Sequence, residues 1–303
     1  MLENCSIPVI IKPNAGLPRN ENGKTVFDIS PEEFAQAMEK IVDKGACIVG
    51  GCCGTTPAHI KALYEHCKNK TPLPIIPKNK TIVSSYTHTV EIGKSPIIIG
   101  ERINPTGKSR FKQALREKDF DYILREGFSQ QQKGAHILDV NVGLPDINEI
   151  QMLISVIKEL QSVIDLPLQI DTSNVLAMEQ ALRYYNGKAM INSVNGKKES
   201  MDAIFPIVKK YGGVVVGLTL DENGIPETAE KRFAIAEKII NTAQYYGISK
   251  KDIIIDVLAM TISSDQFSAL ETLKSLHMVK QKLDVKTILG VSNISFGLPQ
   301  REI

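Results

Sequence analysis

The sequence lacks the features by which membrane and nucleic-acid-binding proteins are usually detected. No apolar stretch reaches the ~18 residues that a membrane-spanning helix needs, and the N-terminus has neither the basic nor the apolar region of a secretory signal. Positive and negative charges nearly cancel, with a formal net charge of +2 and no block of like charges. We therefore expect neither membranes nor nucleic acids among the partners.

Cysteine is also scarce, and its five occurrences form an odd set in which Cys52 and Cys53 are adjacent. Neighbouring cysteines rarely bridge each other, so a disulfide framework is not expected. Reduced thiols of this kind are typical of a cytoplasmic protein. The sequence has no P-loop and no dinucleotide-binding fingerprint, which argues against a nucleotide phosphate site.

Two changes of pattern divide the chain into three parts. Residues 1–67 alternate two apolar runs with two helical patterns, which predicts strand, helix, strand, helix. Ser30 is the expected N-cap of the first helix, with Pro31 at its first position. Residues 68–95 are rich in Lys, Thr, Ser and Pro without a sustained period, which predicts a linker. Residues 96–303 are regular and predict one larger domain.

Seven apolar runs separated by amphipathic helical stretches follow one another in this larger part. The runs are Ile97–Ile99, His136–Leu138, Leu166–Ile170, Ala189–Ile191, Val214–Leu218, Ile253–Ile255 and Thr287–Val291. Short continuous apolar strands that alternate with helices predict a parallel sheet covered by helices. Seven units exceed a flavodoxin-like sheet. We therefore expect an α/β fold, a (β/α)8-type TIM barrel that lacks its last strand-helix unit, preceded by the βαβα remnant of a second barrel.

Carboxylate or carboxamide side chains follow six of the seven apolar runs. They include Glu101, Asn104, Asp139, Asn141, Asp171, Asn192, Asp256 and Asn293. The C-terminal ends of all strands in such a barrel open onto one face, where active sites form. Asp and Asn also favour loops and helix N-caps, which accounts for Asn174 but less well for residues that directly abut a strand. A group of carboxylates and amides suits a flat heterocycle with donor and acceptor edges, such as a pterin.

Five strings in this part resemble the pterin-binding family and keep its motif order from about residue 97 to the end. They are Gly100-Glu-Arg-Ile-Asn-Pro-Thr-Gly107, Leu138-Asp-Val-Asn-Val-Gly143, Ile170-Asp-Thr-Ser-Asn174, Ile191-Asn-Ser193 and Gly290-Val-Ser-Asn-Ile-Ser-Phe-Gly297. The resemblance implies that Asp171, Asn192 and Asp256 bind the pterin edge. One departure is visible, because Val257 follows Asp256 where relatives often have proline. The departure concerns the course of the loop more than the role of the carboxylate.

The same resemblance implies roles for the remaining polar residues at the strand ends. Asn293 would lie near N5, which carries the methyl group, and is the candidate catalytic residue. Arg301 would face the folate tail. The same mouth would be lined by the remaining polar residues, which are Glu101, Asn104, Asp139 and Asn141.

The first 67 residues resemble the end of the homocysteine S-methyltransferase family. The resemblance lies in the segments Lys12–Pro18 and Val49–Ile60, the second of which contains a Gly-Gly-Cys-Cys-Gly string. It implies that Cys52 and Cys53 are two of three thiolate ligands of a Zn²⁺ ion, which lowers the pKa of a substrate thiol. The third ligand has no match, because Cys5 lies too close to the first segment. Zinc is therefore expected only if the homocysteine site is completed, and homocysteine activation by this chain is not expected.

Taken together, the two parts of the chain resemble the cobalamin-dependent methionine synthase family. They imply binding of 5-methyltetrahydrofolate and methyl transfer from its N5 to a cob(I)alamin-type corrinoid. The corrinoid is expected on a separate domain or protein, because no Asp-x-His-x-x-Gly string occurs. Three alternatives stay open: a methyltransferase like that of corrinoid iron-sulfur proteins, a dihydropteroate synthase-like enzyme, and a catalytically incompetent folate-binding fragment. The first two leave the Gly-Gly-Cys-Cys segment unexplained.

Overall fold

The chain forms two compact units, which divide between Asn79 and Lys80. The structure is a computed structural model that describes residues 5–263 and 267–299. No helix within these ranges is long and apolar enough to cross a membrane.

The first unit has the strand-helix order that the sequence predicts, with one added hairpin. Its elements are β1 (Ile10–Ile11), β2 (Arg19–Glu21), β3 (Lys24–Val26), α1 (Pro31–Asp43), β4 (Ile48–Val49) and α2 (Pro57–Cys67). Strands β1 and β4 are parallel, whereas β2 and β3 pair antiparallel. Ser30 caps α1, since its hydroxyl accepts from the Glu33 N–H while the Glu33 carboxylate accepts from the Ser30 N–H at 3.0 Å. Phe34, Met38 and Leu63 form the centre of a small core.

The second unit contains a seven-stranded parallel sheet, counted over the described residues, in which the strands follow chain order. Its strands are β5 (Thr81–Ser84), β6 (Thr89–Ile92), β7 (Ile99–Ile103), β8 (Ile137–Val140), β9 (Leu168–Asp171), β10 (Met190–Asn195), β11 (Val214–Leu218), β12 (Ile253–Asp256) and β13 (Lys286–Ile288). Its helices are α3 (Ser109–Glu117), α4 (Phe120–Gln132), α5 (Glu149–Val163), α6 (Val175–Tyr184), α7 (Lys198–Tyr211), α8 (Ala229–Tyr245) and α9 (Ser268–Lys282). The parallel sheet is β7–β13, and the predicted seven-stranded fold is confirmed.

Alternation along the strands separates two apolar layers. Residues such as Leu138, Ile170 and Val215 belong to the large core with the helices. Their sequence neighbours Ile137 and Val214 face the other side, in a second cluster inside the curled sheet. Each strand therefore carries one face toward the helices and one toward the interior of the sheet.

The hairpin β5–β6 lies in the stretch that the sequence predicts as a linker. Its Val83 and Val90 are buried in the interior cluster. Ser84 and Lys188 exchange backbone hydrogen bonds of 2.9 and 3.0 Å, and the Tyr185 hydroxyl donates to the Ser84 carbonyl at 2.9 Å. Because Lys188 lies two residues before the start of β10, the hairpin covers the N-terminal end of the barrel. Only residues 68–79 of the predicted linker belong to the first unit.

Candidate functional site

The interior face of the sheet changes from apolar to polar toward the C-terminal ends of its strands. Asp139 lies two residues after the interior residue Ile137, Asn192 two after Met190, and Asp256 two after Ile254, so each continues the interior face. Asp171 stands opposite Asn192 in the register of β9 and β10. Polar side chains on four strands thus share the C-terminal opening of the barrel, which we call the mouth.

Asp139 and Gln169 form a buried pair beneath the mouth. They are neighbours in the register of β8 and β9, and Gln169 Nε2 donates to Asp139 Oδ1 at 2.6 Å. Burial, with the charge of Asp171 as a second cause, raises the pKa of Asp139 to about 8. Gln169 Oε1 is buried and has no hydrogen-bond partner among the described residues. The Asp139 carboxyl is therefore protonated at neutral pH.

Asp171 and Asp256 carry two half-buried carboxyls of the mouth. Burial raises the pKa of Asp171, against a hydrogen bond of 3.0 Å from Asn141 Nδ2 that lowers it. Burial also raises the pKa of Asp256 to about 6, against a hydrogen bond of 2.8 Å from the Leu258 N–H to Oδ1. At neutral pH Asp256 is the ionised acceptor, while Asp139 is a neutral donor and acceptor.

The side of the mouth formed by strand β7 is more open. Glu101 is exposed within β7, and its Oε2 accepts from Ser292 Oγ at 3.2 Å. This bond joins β7, at one edge of the parallel sheet, to the segment that follows β13. Lys108 Nζ donates to the Glu101 carbonyl at 2.8 Å, and burial lowers the pKa of Lys108. Asn104 is committed to its own turn, since its Oδ1 accepts from the Thr106 N–H at 2.9 Å.

Asn293 does not follow a strand directly. The sequence predicts a strand to Val291, but β13 ends at Ile288, and residues Val291–Ser295 form a short 3-10 turn in which Asn293 is exposed. The neighbouring Ser292–Glu101 bond places this turn at the mouth. Arg301, the residue predicted to face the folate tail, lies outside the described residues.

A cleft of about 470 Å³ opens beside Asp171 and Asn192. Its remaining walls come from the loop after β9, from the end of β10 with Ser193 and Asn195, and from Glu199 on α7. This volume lies within the range of small-molecule sites. The cleft has room for a small molecule beside Asp171 and Asn192, whereas Asp139 and Asp256 do not line it.

Sequence reasoning missed two polar residues of this region, Gln169 and Lys108. Gln169 lies inside the apolar run Leu166–Ile170, where the pattern predicts a strand residue and no site residue. Its position two residues before Asp171 is the signal that would have placed it on the interior face. Lys108 carried no comparable signal, because it lies in the loop before α3.

The adjacent cysteines of the first unit are both exposed, with 3.9 Å between Cys52 Sγ and Cys53 Sγ. Two thiolates on one tetrahedral Zn²⁺ with bonds of ~2.3 Å stand ~3.8 Å apart, so the pair matches two of the four positions. The hydrogen bond between the two sulfurs raises the pKa of Cys53. Within residues 5–263 and 267–299, however, no three His, Cys, Asp or Glu side chains are placed to hold a metal. The described residues thus do not complete a zinc site.

Comparison with protein families agrees with this geometry. The family model described as pterin binding enzyme matches residues 100–302, and the homocysteine S-methyltransferase model matches residues 1–67. The first match covers more than half of the chain, and the chain belongs to the pterin-binding enzyme family.

Two curated relatives are both methionine synthases. The protein from Mycobacterium tuberculosis (strain ATCC 25618 / H37Rv) is 34% identical over 97% of this chain, and the protein from Mycobacterium leprae (strain TN) is 33% identical over 98%. The chain spans 26% of the length of each relative.

Solved structures support the fold. A dihydropteroate synthase from Xanthomonas albilineans with 4-aminobenzoic acid superposes with a TM-score of 0.54 at 19% identity, covering 70% of this chain and 77% of that one. The 7,8-dihydropteroate synthase from Vibrio fischeri ES114 gives 0.52 at 16% identity, over 71% and 79% of the two chains. At these identities the likeness concerns the barrel alone.

Proposed function

We propose that this chain binds 5-methyltetrahydrofolate at the mouth of its barrel and acts as a methyltransferase module of the methionine synthase type. The methyl group on N5 would pass to a cob(I)alamin-type corrinoid held by another domain or protein. The observation that carries the proposal is the set of interior polar side chains at the C-terminal ends of β8, β9, β10 and β12. The homocysteine S-methyltransferase match over residues 1–67 and the pterin-binding match over residues 100–302 support it.

The mouth residues would bind and orient the pterin. An ionised Asp256 and the Asp171–Asn141 pair supply acceptors for the amino and ring N–H groups of a pterin, while Asn192 supplies both a donor and an acceptor. A flat ring held in this way exposes its N5 substituent to the solvent side of the barrel. A tertiary amine is a poor leaving group, so N5 has to gain a proton as the methyl group departs. A corrinoid supplies the nucleophile.

The simplest test is a calorimetric titration of the folded chain with 5-methyltetrahydrofolate at pH 7.5. We expect a dissociation constant on the order of micromolar. Absence of binding by a folded sample would remove the proposal. Binding of a dihydropterin pyrophosphate in preference to 5-methyltetrahydrofolate would favour the dihydropteroate synthase-like alternative. Folate binding without methyl transfer to free cob(I)alamin would leave a folate-binding module only.

The affinity for 5-methyltetrahydrofolate should fall as the pH is lowered through about 6, where Asp256 gains a proton. A protonated carboxyl loses its charge and one acceptor position, so the affinity is fully present above this pKa and declines by up to tenfold per pH unit below it. Titrations between pH 5 and 8 should show this step in the wild type but not in Asp256→Asn.

A matched control for this step is Asp252→Asn. Asp252 lies just before β12, at the opposite end from Asp256, where it pairs with Lys188. This variant should keep the step near pH 6. A step that persists in Asp256→Asn, or disappears in both variants, would contradict the assignment of Asp256 to the pterin edge.

Asp171→Asn should weaken binding of 5-methyltetrahydrofolate by ~1–3 kcal/mol, or about 5- to 150-fold, the range for loss of a charged hydrogen bond. Calorimetry at pH 8 measures the change. Asp165→Asn is the control, because Asp165 precedes β9 and so lies at the opposite end of the strand from Asp171. There it accepts from Gln131 Nε2 at 2.8 Å. Unchanged affinity in Asp171→Asn would exclude Asp171 from the site.

A further inference from the structure

Arg232 is a charged side chain buried in the second unit. It lies on α8, and only 1% of its surface is exposed. Burial of a guanidinium group costs free energy unless its N–H groups are bonded, so a buried arginine is expected to organise the groups around it. Its Nε donates to the Pro226 carbonyl at 2.8 Å, and its Nη1 lies 3.0 Å from Thr272 Oγ1.

The same Nη1 reaches the backbone directly after strand β12. It donates to the carbonyls of Val257 and Leu258 at 3.1 and 3.0 Å. These two residues follow Asp256, and Leu258 has a φ of 64°, a conformation that a branched side chain rarely adopts. Such a conformation persists only where surrounding contacts hold it. The guanidinium bonds to the Val257 and Leu258 carbonyls, one on each side of the Leu258 Cα, provide such contacts.

The conformation of Leu258 in turn determines what Asp256 contacts. The Leu258 N–H donates to Asp256 Oδ1 at 2.8 Å. Thr272 on α9 supports the same loop, since its Oγ1 lies 3.1 Å from the Leu258 carbonyl as well as 3.0 Å from Arg232. A chain of contacts therefore runs from α8 and α9 through one peptide to a mouth carboxylate. This loop is also where the sequence departs from the pterin-binding family, with Val257 in place of proline.

We propose that Arg232 is a positioning residue for Asp256, which it holds in the pterin-binding orientation through the carbonyls of Val257 and Leu258. The consequence for ligand affinity rests on the function proposed above. The consequence for the Asp256 carboxyl itself does not, because it concerns a contact present without ligand. In this chain the arginine supplies the order that a proline would otherwise impose on the loop.

The charged surroundings of Asp256 are simple enough for its titration to report on this contact. In the sheet register its neighbours are Leu218 on β11 and Ile288 on β13, both apolar. The titratable groups that face the mouth are the carboxyls of Glu101, Asp139 and Asp171 on β7, β8 and β9, and the Lys108 ammonium beside Glu101. The pKa of Asp256 is set by burial and by the Leu258 N–H, without a contribution from these three carboxyls. Loss of the Leu258 bond should therefore raise the midpoint of the Asp256 titration.

The test uses the full chain with Arg232→Lys, which keeps the charge but loses the fork of donors, and with Thr272→Val, which removes one hydroxyl at nearly constant shape. The ¹³C signal of the Asp256 carboxyl is titrated without ligand, and the affinity for 5-methyltetrahydrofolate is then measured from pH 5 to 8. We expect the midpoint of the carboxyl titration and the midpoint of the pH-dependent affinity both to move upward. The expected shift is about one pH unit in Arg232→Lys and about half a unit in Thr272→Val. Thr272→Ser should restore the wild-type midpoints.

Ile240→Ala is the control for destabilisation alone. Ile240 is buried on the same helix, in the large core with the helices. This variant should lower the melting temperature and leave the carboxyl midpoint unchanged. Should Arg232→Lys not fold, Thr272→Val and Thr272→Ser decide the question.

Two results would overturn the positioning role: wild-type carboxyl midpoints in both Arg232→Lys and Thr272→Val, or an equal shift in Ile240→Ala. A shifted carboxyl midpoint in Arg232→Lys, together with a wild-type chain that binds no folate, would support the positioning role and contradict the proposed function. A wild-type carboxyl midpoint in the two variants, together with folate binding by the wild-type chain, would contradict the positioning role and support the proposed function.

Discussion

Asp139→Asn should make the second unit markedly more stable at pH 8, by on the order of 3–5 kcal/mol, and only slightly more stable at pH 4. The carboxyl of Asp139 is buried and its pKa is raised to about 8, whereas an aspartate in an unfolded chain has a pKa of ~3.9. Asparagine has nearly the same shape and carries no charge at any of these pH values.

The sign follows from proton linkage. Below pH ~4 both the folded and the unfolded chain hold the proton, and the aspartate costs nothing. Between this pH and about 8 only the folded chain keeps it, so the stability of the wild type falls as the pH rises. Above pH 8 both states are ionised and the loss levels off. The variant escapes this loss, and its Nδ2 can donate to Gln169 Oε1, the buried acceptor without a partner among the described residues.

Urea unfolding at pH 4, 6 and 8, followed by far-UV circular dichroism, measures the effect on the transition of the second unit. Asp121→Asn is the matched control, since Asp121 is exposed on α4 and its replacement should change stability by less than about 0.5 kcal/mol. Equal stability of Asp139→Asn and wild type at pH 8 would mean that Asp139 is ionised without cost in the folded chain.

The parallel sheet of the second unit could be predicted because strands β8–β12 are largely buried on both faces. Continuous apolar runs such as Val214–Leu218 are typical of such strands. The short strands of the two hairpins gave no comparable signal. Thr81–Ser84 alternates buried and half-buried residues over only four positions, which is too short to distinguish from a Lys- and Pro-rich linker. The turn Asn22-Gly23 did carry a signal: Asn-Gly favours tight hairpins, and both residues have positive φ, 52° and 78°.

The mouth was predictable to the extent that strand ends were. Asp139, Asp171, Asn192 and Asp256 could be placed there because each abuts an apolar run. Some contacts around these residues could not be predicted, because they involve partners distant in the sequence. The Gln169 amide lies on the next strand from Asp139, and the Arg232 guanidinium lies on a helix that precedes Asp256. In the sequence Arg232 follows Glu230 and Lys231 and has the appearance of a solvated helix face.

Asn293→Ala should slow methyl transfer from 5-methyltetrahydrofolate to free cob(I)alamin by ~100-fold or more, the lower end of the effects of proton-transfer groups, while the affinity for the folate changes by less than about threefold. An amide can donate to or accept from N5 by turning over, so it serves both the neutral and the protonated amine. Its turn is tied to the mouth through the Ser292–Glu101 bond of 3.2 Å. A Cβ at Gly290 would come within 3.0 Å of Asn293 Nδ2, so the glycine leaves the amide room to turn.

Rate and affinity have to be measured separately, by stopped-flow loss of the cob(I)alamin absorbance and by calorimetry, because the assignment rests on their difference. Ser295→Ala is the control for the integrity of the turn: Ser295 Oγ donates to the Ser292 carbonyl at 3.3 Å within the same 3-10 segment. That variant should keep both values near wild type. Equal losses of rate and affinity in Asn293→Ala would make Asn293 a binding residue, and an unchanged rate would place N5 elsewhere. The predicted pattern, with rate lost and affinity kept, arises only if the amide contacts N5 more strongly as the proton arrives than in the bound ground state.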